Sequence, residues 1–291
     1  AALSSFTDVI EEVMDGRTPQ NIGIAGYSLI SHAIYQNLHA ALSVYGDIPI
    51  LHADEVVSKI RVIKSENEIA CLREAYRITQ EAMKAVLSQI HVGMTENQVK
   101  GIAMAKIFAE GGEGEAYPFW ILTGKGSNQA IGRCRNKIIQ PGDMVQIQIG
   151  ARYEGYASTM GRAVVFGSAT ERQRQLIEAG LDAQREMLQM IRAGVNAGDV
   201  SRKHFEVMRR HGCESYILYG PIHGTGLMEG EYPWIESTSD YLLEKNMTFC
   251  TCVYLGDDEQ QIGMRIEDGF LVTENGTESF SDYRRELIEI L

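Results

Sequence analysis

Three residues in the carboxy-terminal half of the chain offer chemistry. His223 stands in Pro221-Ile222-His223-Gly224-Thr225-Gly226, where small neighbours leave room around the imidazole. A histidine, with an ordinary pKa of about 6.5, takes and gives a proton at neutral pH. His223 is therefore a candidate general acid/base, the alternative being a structural histidine hydrogen-bonded in a turn. Glu267 lies in Met264-Arg265-Ile266-Glu267-Asp268, on a strand whose alternation turns it inward if Ile266 faces the other layer. An inward carboxylate needs a partner, and His223 or Arg265 can supply it, in a site or in a structural ion pair. Cys252 is the third. Its thiol can be a nucleophile beside His and Glu, a metal ligand, or a small buried apolar group. Cys250 is expected on the opposite face of the strand, so that Cys-x-Cys does not chelate. Phe119 and Trp120 can wall a pocket or fill the core. Asp257-Asp258-Glu259 reads as a solvated turn, and Met83, Met187 and Met190 as core.

The elements that must position these residues show an internal repeat. Ser88-Gln89-Ile90-His91-Val92-Gly93-Met94-Thr95 and Gln189-Met190-Ile191-Arg192-Ala193-Gly194-Val195-Asn196 each read as a helix end, a turn and a new helix, with their glycines 101 residues apart. Gly93 and Gly194 are expected as C-caps, and Thr95 and Asn196 as N-caps of the next helices. β-rich sequence follows each helix pair: Tyr117–Thr123, Met144–Ile149 and Tyr153–Phe166, then Tyr216–Leu218, Thr248–Leu255 and Gly263–Val272. Two α-α-β-β-β halves are expected to pack their sheets beneath the helices, with a site between them. Ahead of the repeat, a strand (Asn21–Ala25), a helix (Leu29–Leu42) and a strand (Ile48–His52) read as the tail of an α/β lobe, and Ala53–Ser65 leads into a long helix near Glu66. The domains are expected as 1–54 and 55–291, the fold class as α/β (α+β).

A chain of 291 residues can bury one substantial core, with or without a smaller lobe. A net charge of -12 argues against nucleic-acid and anionic-membrane partners, which call for clustered Lys and Arg. No apolar run reaches the roughly 18 residues of a membrane span. Five cysteines without paired zinc spacing favour a reducing, cytoplasmic setting. The start at Ala1, inside what reads as a lobe, suggests a truncated or processed chain.

Several segments, in this order, resemble the pita-bread superfamily of prolidase, aminopeptidase P, creatinase and methionine aminopeptidase. They are Lys59 to Glu66, Gln140-Pro141-Gly142-Asp143-Met144-Val145, Tyr153 to Ser158, His223-Gly224-Thr225-Gly226-Leu227, Met264 to Asp268, and Leu271 to Gly276. The resemblance implies a pita-bread domain over residues 55–291, preceded by a partial amino-terminal lobe, and a homodimer. In the peptidases two Asp, one His and two Glu hold two metal ions around a nucleophilic water. Carried over, those positions are Gln148, Thr159, His223, Cys252 and Glu267, three of which have changed. No metal and no other cofactor is therefore expected. Creatinase resembles this chain in keeping the histidine without the aspartates, though it has a glutamate where Cys252 stands.

The function these readings favour is a metal-independent, creatinase-like hydrolase cleaving a C–N bond of a small polar substrate. His223 would be the acid/base, with Glu267, Glu231 and Cys252 as further catalytic candidates. Substrate contacts are expected from Trp120, Phe119, Arg133, Gln148, Thr159 and Arg265. Glu231 and Pro233 follow His223 as in the peptidases, with Gly230 where those have a second His, and Arg133 and Arg135 lie where they have a His before the first hairpin. Two alternatives stand beside this reading: a non-catalytic domain binding a peptide or small ligand, and an Xaa-Pro dipeptidase or aminopeptidase P-type metallopeptidase with unusual ligands.

Overall fold

A computed structural model describes residues 4–291. The chain divides into two compact units, one ending at Arg61 and the other spanning Val62–Leu291. The first contains α1 (Phe6–Met14), β1 (Ile22–Ile24), α2 (His32–Leu42) and β2 (Ile50–His52), and α3 (Asp54–Val62) runs to its end. β1 and β2 pair in parallel. Ile10, Ile24, Leu38, Ala41 and Leu42 form the small core. α2 starts three residues later than its apolar pattern begins because the Ser31 hydroxyl accepts the Ile34 N–H and fixes the first turn there. The sequence pattern did not disclose α1.

In the second unit the first half runs α4 (Glu66–Gln89), α5 (Glu96–Ala109), β3 (Gly114–Glu115), β4 (Trp120–Thr123), β5 (Met144–Ile149), β6 (Ala151–Tyr153), β7 (Tyr156–Ala157) and β8 (Met160–Phe166). The second half runs α6 (Glu171–Met190), α7 (Ala197–Arg210), β9 (Ile222–Gly224), β10 (Glu231–Ile235), β11 (Thr248–Asp257), β12 (Ile262–Val272), β13 (Thr277–Ser279) and β14 (Ile288–Ile290). On α4, Ile69, Leu72, Tyr76, Met83 and Val86 recur at helical spacing and are buried. Capping boxes Ser65/Glu68, Thr95/Gln98 and Thr170/Gln173 start α4, α5 and α6, and the Asn196 side chain caps α7.

The repeat is visible in three dimensions. Gly93 and Gly194 both have positive φ, 95° and 84°. Their N–H groups bond the carbonyls of Ile139 and Leu243. They are not the C-caps expected of them: Ile90 and Ile191 are, and the glycines turn the chain three residues later.

The two halves merge into one nine-stranded sheet, with the path β10-β9-β11-β12-β8-β5-β4, β13 on β12 and β14 on β8. α4 and α5 cover the first-half strands with Ile78, Met83, Val99 and Ile107, and α6 and α7 cover the second-half strands with Leu176, Ile177, Val200 and Val207. The expected strand Tyr153–Phe166 is broken into β6, β7 and β8, since Glu154 and Gly155 adopt positive φ and reverse the chain. Residues 216–218 do not form the expected strand; a 3-10 turn at Glu214–Tyr216 replaces it, with Ile217 bridging to Leu255. β9 and β10 escaped the sequence pattern because β9 is short and glycine-flanked and β10 contains Pro233, which suits the sheet edge that β10 forms. Asp257, expected in a solvated turn, is buried and paired with Arg172 at 3.0 Å.

Candidate active site

The junction of β8 and β12 determines which side chains meet. Trp120 pairs with Gln148, Gln148 with Gly161, Gly161 with Glu267 and Glu267 with Cys252, so one row crosses five strands. Cys250 pairs with His223 on β9. Gly161 allows this row to close: a Cβ there would come within 2.8 Å of the Glu267 Cβ and 3.1 Å of the Arg265 Cγ.

Glu267 is fully buried. One oxygen accepts from Thr159 Oγ1 at 2.7 Å and Cys250 Sγ at 3.1 Å, the other from Gln148 Nε2 at 2.5 Å and Arg265 Nη1 at 3.2 Å. Burial works to raise this carboxyl, but Arg265, His223 and the donors around it hold it below the usual carboxylate range. Arg265 also donates from Nη1 to Cys252 Sγ at 2.7 Å, from Nε to Gln146 at 2.8 Å and from Nη2 to the Ala130 carbonyl at 2.5 Å. Its guanidinium carbon is 4.8 Å from the Trp120 ring centroid, 5.4 Å from Tyr254 and 5.7 Å from Tyr219.

His223 is buried, and its Nδ1 lies 3.0 Å from the Gly224 carbonyl oxygen. A carbonyl only accepts, so Nδ1 carries the proton and Nε2 presents a lone pair. Burial also holds the imidazole pKa below its usual value. Nε2 stands 3.5 Å from Glu229, whose carboxyl is pushed up to about 8 by burial and the charge of Glu267. Burial pushes the Cys252 thiol well up, with Arg265 acting in the opposite sense. A cavity of about 400 Å³ opens over this cluster, walled by Trp120, Ile131, Tyr219 and Trp234 and reaching His223, Glu229, Cys252 and Arg265.

Of the residues singled out from sequence, His223, Cys252, Glu267, Gln148, Thr159, Arg265 and Trp120 thus come together. Glu231 does not: it is buried against Lys64 at 2.9 Å, away from the cavity lining. Phe119 is core, with the Lys100 ammonium 5.6 Å from its ring centroid. Arg133 is exposed and bonds the Gly132 carbonyl. The expectation for Cys250 is corrected. Strand residues two apart share a face, and both thiols point into the cluster, Cys250 to Glu267 and Cys252 to Arg265. Glu229, Tyr219 and Trp234 were not singled out. Glu229 and Trp234 lie in the loop and edge strand after His223, and Tyr219 enters by stacking on Tyr254 at 5.9 Å between centroids, a contact that sequence spacing does not encode.

Residues 70–274 match the sequence pattern of metallopeptidase family M24. The Xaa-Pro dipeptidase of Pyrococcus furiosus is 29% identical over 283 residues, covering 97% of this chain and 78% of that protein. The solved Xaa-Pro dipeptidase from Bacillus anthracis superposes with a TM-score of 0.90 at 26% identity, over 98% of this chain and 78% of that one. The prolidase from Pyrococcus furiosus gives 0.88 at 26%, over 98% and 82%. The fold is therefore the expected pita-bread fold. The expected function, metal-independent creatinase-like hydrolysis of a small polar substrate, is overturned, because the Pyrococcus furiosus and Bacillus anthracis proteins that match over 97% and 98% of this chain are Xaa-Pro dipeptidases.

Proposed function

Because the chain belongs to metallopeptidase family M24, we propose that it hydrolyses short peptides of the Xaa-Pro class in the cavity above His223, Cys252 and Glu267. The observation that carries this reading is the cavity's lining. Trp120, Tyr219, Trp234 and Ile131 offer flat apolar walls suited to a pyrrolidine ring, while His223, Glu229 and Arg265 converge as polar groups that can orient a peptide.

In this reading the two-ion centre of the peptidases does not fit. Gln148 and Thr159 donate hydrogen bonds to Glu267 where the resemblance puts metal-binding aspartates. Among the five carried-over positions, two buried dications would find one carboxylate and one thiol. One ion does fit: ligand atoms of His223, Cys252 and Glu267 all lie within 4.8 Å of one another, and all three residues are buried. A single ion held by them would supply Lewis acidity toward the scissile carbonyl. Glu229, beside His223, is placed to pass a proton from water to the leaving nitrogen. The aromatic walls hold the proline ring and exclude bulk water. The five free thiols suit a reducing, cytoplasmic setting.

Release of free proline from Xaa-Pro dipeptides, with Zn²⁺, Co²⁺ or Mn²⁺ supplied in turn, tests the proposal. Turnover is expected for Xaa-Pro over matched Xaa-Ala dipeptides, with a loss of roughly 100-fold or more in His223→Ala. Turnover indifferent to that substitution, or none with any ion, refutes it. The changed residues at positions 148, 159 and 252 favour one second reading, a peptide-binding domain, in which Xaa-Pro peptides raise Tm without being cleaved.

A further inference from the structure

We propose that His223, Cys252 and Glu267 form a site for one soft divalent cation of the Zn²⁺ class, and that the Arg265 guanidinium competes with it. The inference relies on the peptidase reading for its place in catalysis, but not for the binding itself. Three observations carry it. The ligand atoms converge in a buried cluster. The Nδ1–H bond to the Gly224 carbonyl fixes the tautomer that leaves Nε2 free to ligate, the arrangement in which an outer hydrogen bond orients a metal-binding imidazole. The ligand charges also match the ion: one thiolate and one carboxylate offset one dication, and the buried Arg265 guanidinium is then the uncompensated charge that opposes loading.

The donor chemistry selects the ion. Thiolate and imidazole favour Zn²⁺, Co²⁺ or Cd²⁺, whereas Mn²⁺ and Mg²⁺ prefer the oxygen ligands that Gln148 and Thr159 no longer offer as carboxylates. Loading forms the metal–sulfur bond and releases the Cys252 proton to solvent, with no change in oxidation state. Arg265 stands against the same atoms, its Nη1 2.7 Å from Cys252 Sγ and 3.2 Å from Glu267 Oε2. An incoming ion must displace those contacts. The side-chain cation therefore holds the site together without metal and weakens binding.

Equilibrium dialysis of the full chain against Cd²⁺ and Mn²⁺, with the ultraviolet thiolate-to-cadmium band as a second readout, tests this. The expected result is one Cd²⁺ per chain with that band, no retained Mn²⁺, and a band lost in both Cys252→Ser and Cys252→Ala but kept in Cys250→Ser. Arg265→Met should bind Cd²⁺ roughly tenfold or more tightly than the parent chain. Circular dichroism verifies that each variant is folded. Two equivalents of metal, a band that survives loss of Cys252, or no Cd²⁺ on either the parent chain or Arg265→Met would overturn the site, and equal affinities of those two would overturn the competition. Metal binding without cleavage of any peptide leaves this inference standing and removes the peptidase reading.

Discussion

At the residue scale, the cluster is held by a buried charge pair and its donors. Arg265 and Glu267 are each almost completely buried, and 3.2 Å separates their charged atoms. Removing one partner strands the other charge. Glu267→Ala is therefore expected to cost about 3–5 kcal/mol in urea unfolding, whereas Glu267→Ala combined with Arg265→Met should cost less than the single change. A double variant no more stable than the single would show that the pair is not what holds the cluster. His223, Cys252 and Glu267 were legible one at a time, from their types and settings. Their common neighbour Glu229 was not, because its entry depends on the chain folding back after His223 to bring the carboxyl within 3.5 Å of Nε2.

Among the elements, the helix starts were readable because capping is local. Thr95 and Asn196 cap α5 and α7 through residues at most three positions away. α7 also carries a group that its periodicity does not explain. His204 is 1% exposed, neither ring nitrogen has a hydrogen-bond partner, and burial pulls its pKa down to about 4. The unfolded chain, with an ordinary imidazole, binds more protons than the folded one between that value and about 6.5. Stability from this group is complete above the unfolded pKa and lost as pH falls through the window toward 4. Relative to His204→Leu, the parent chain is expected to lose about 3 kcal/mol between pH 7 and pH 4, measured by urea unfolding. A difference between the two proteins that does not change with pH would rule out the buried neutral imidazole. Short strands were the least legible elements, since β9 and β10 owe their existence to partners on β11 and to the sheet edge.

For the whole molecule, β8 of the first half pairs with β12 of the second, and the candidate site is built across that pairing. The halves should therefore unfold together. The two tryptophans lie one in each half, Trp120 on β4 and Trp234 on β10. Single-tryptophan variants, Trp120→Phe and Trp234→Phe, should give the same urea curve by fluorescence and by circular dichroism. Within either variant, a fluorescence midpoint displaced from the circular dichroism midpoint would mean that the halves melt independently. The sequence by itself determined the repeat, the helix pairs, the principal strands and the character of the reactive residues. Each of these rests on spacing within one segment or on the chemistry of one side chain. Only the tertiary structure decided that Cys250 joins Cys252 in the cluster, that Glu231 leaves it for Lys64, and that Arg265 stands between Cys252 and Glu267. Those outcomes follow from cross-strand register and from the need of every buried charge for a partner.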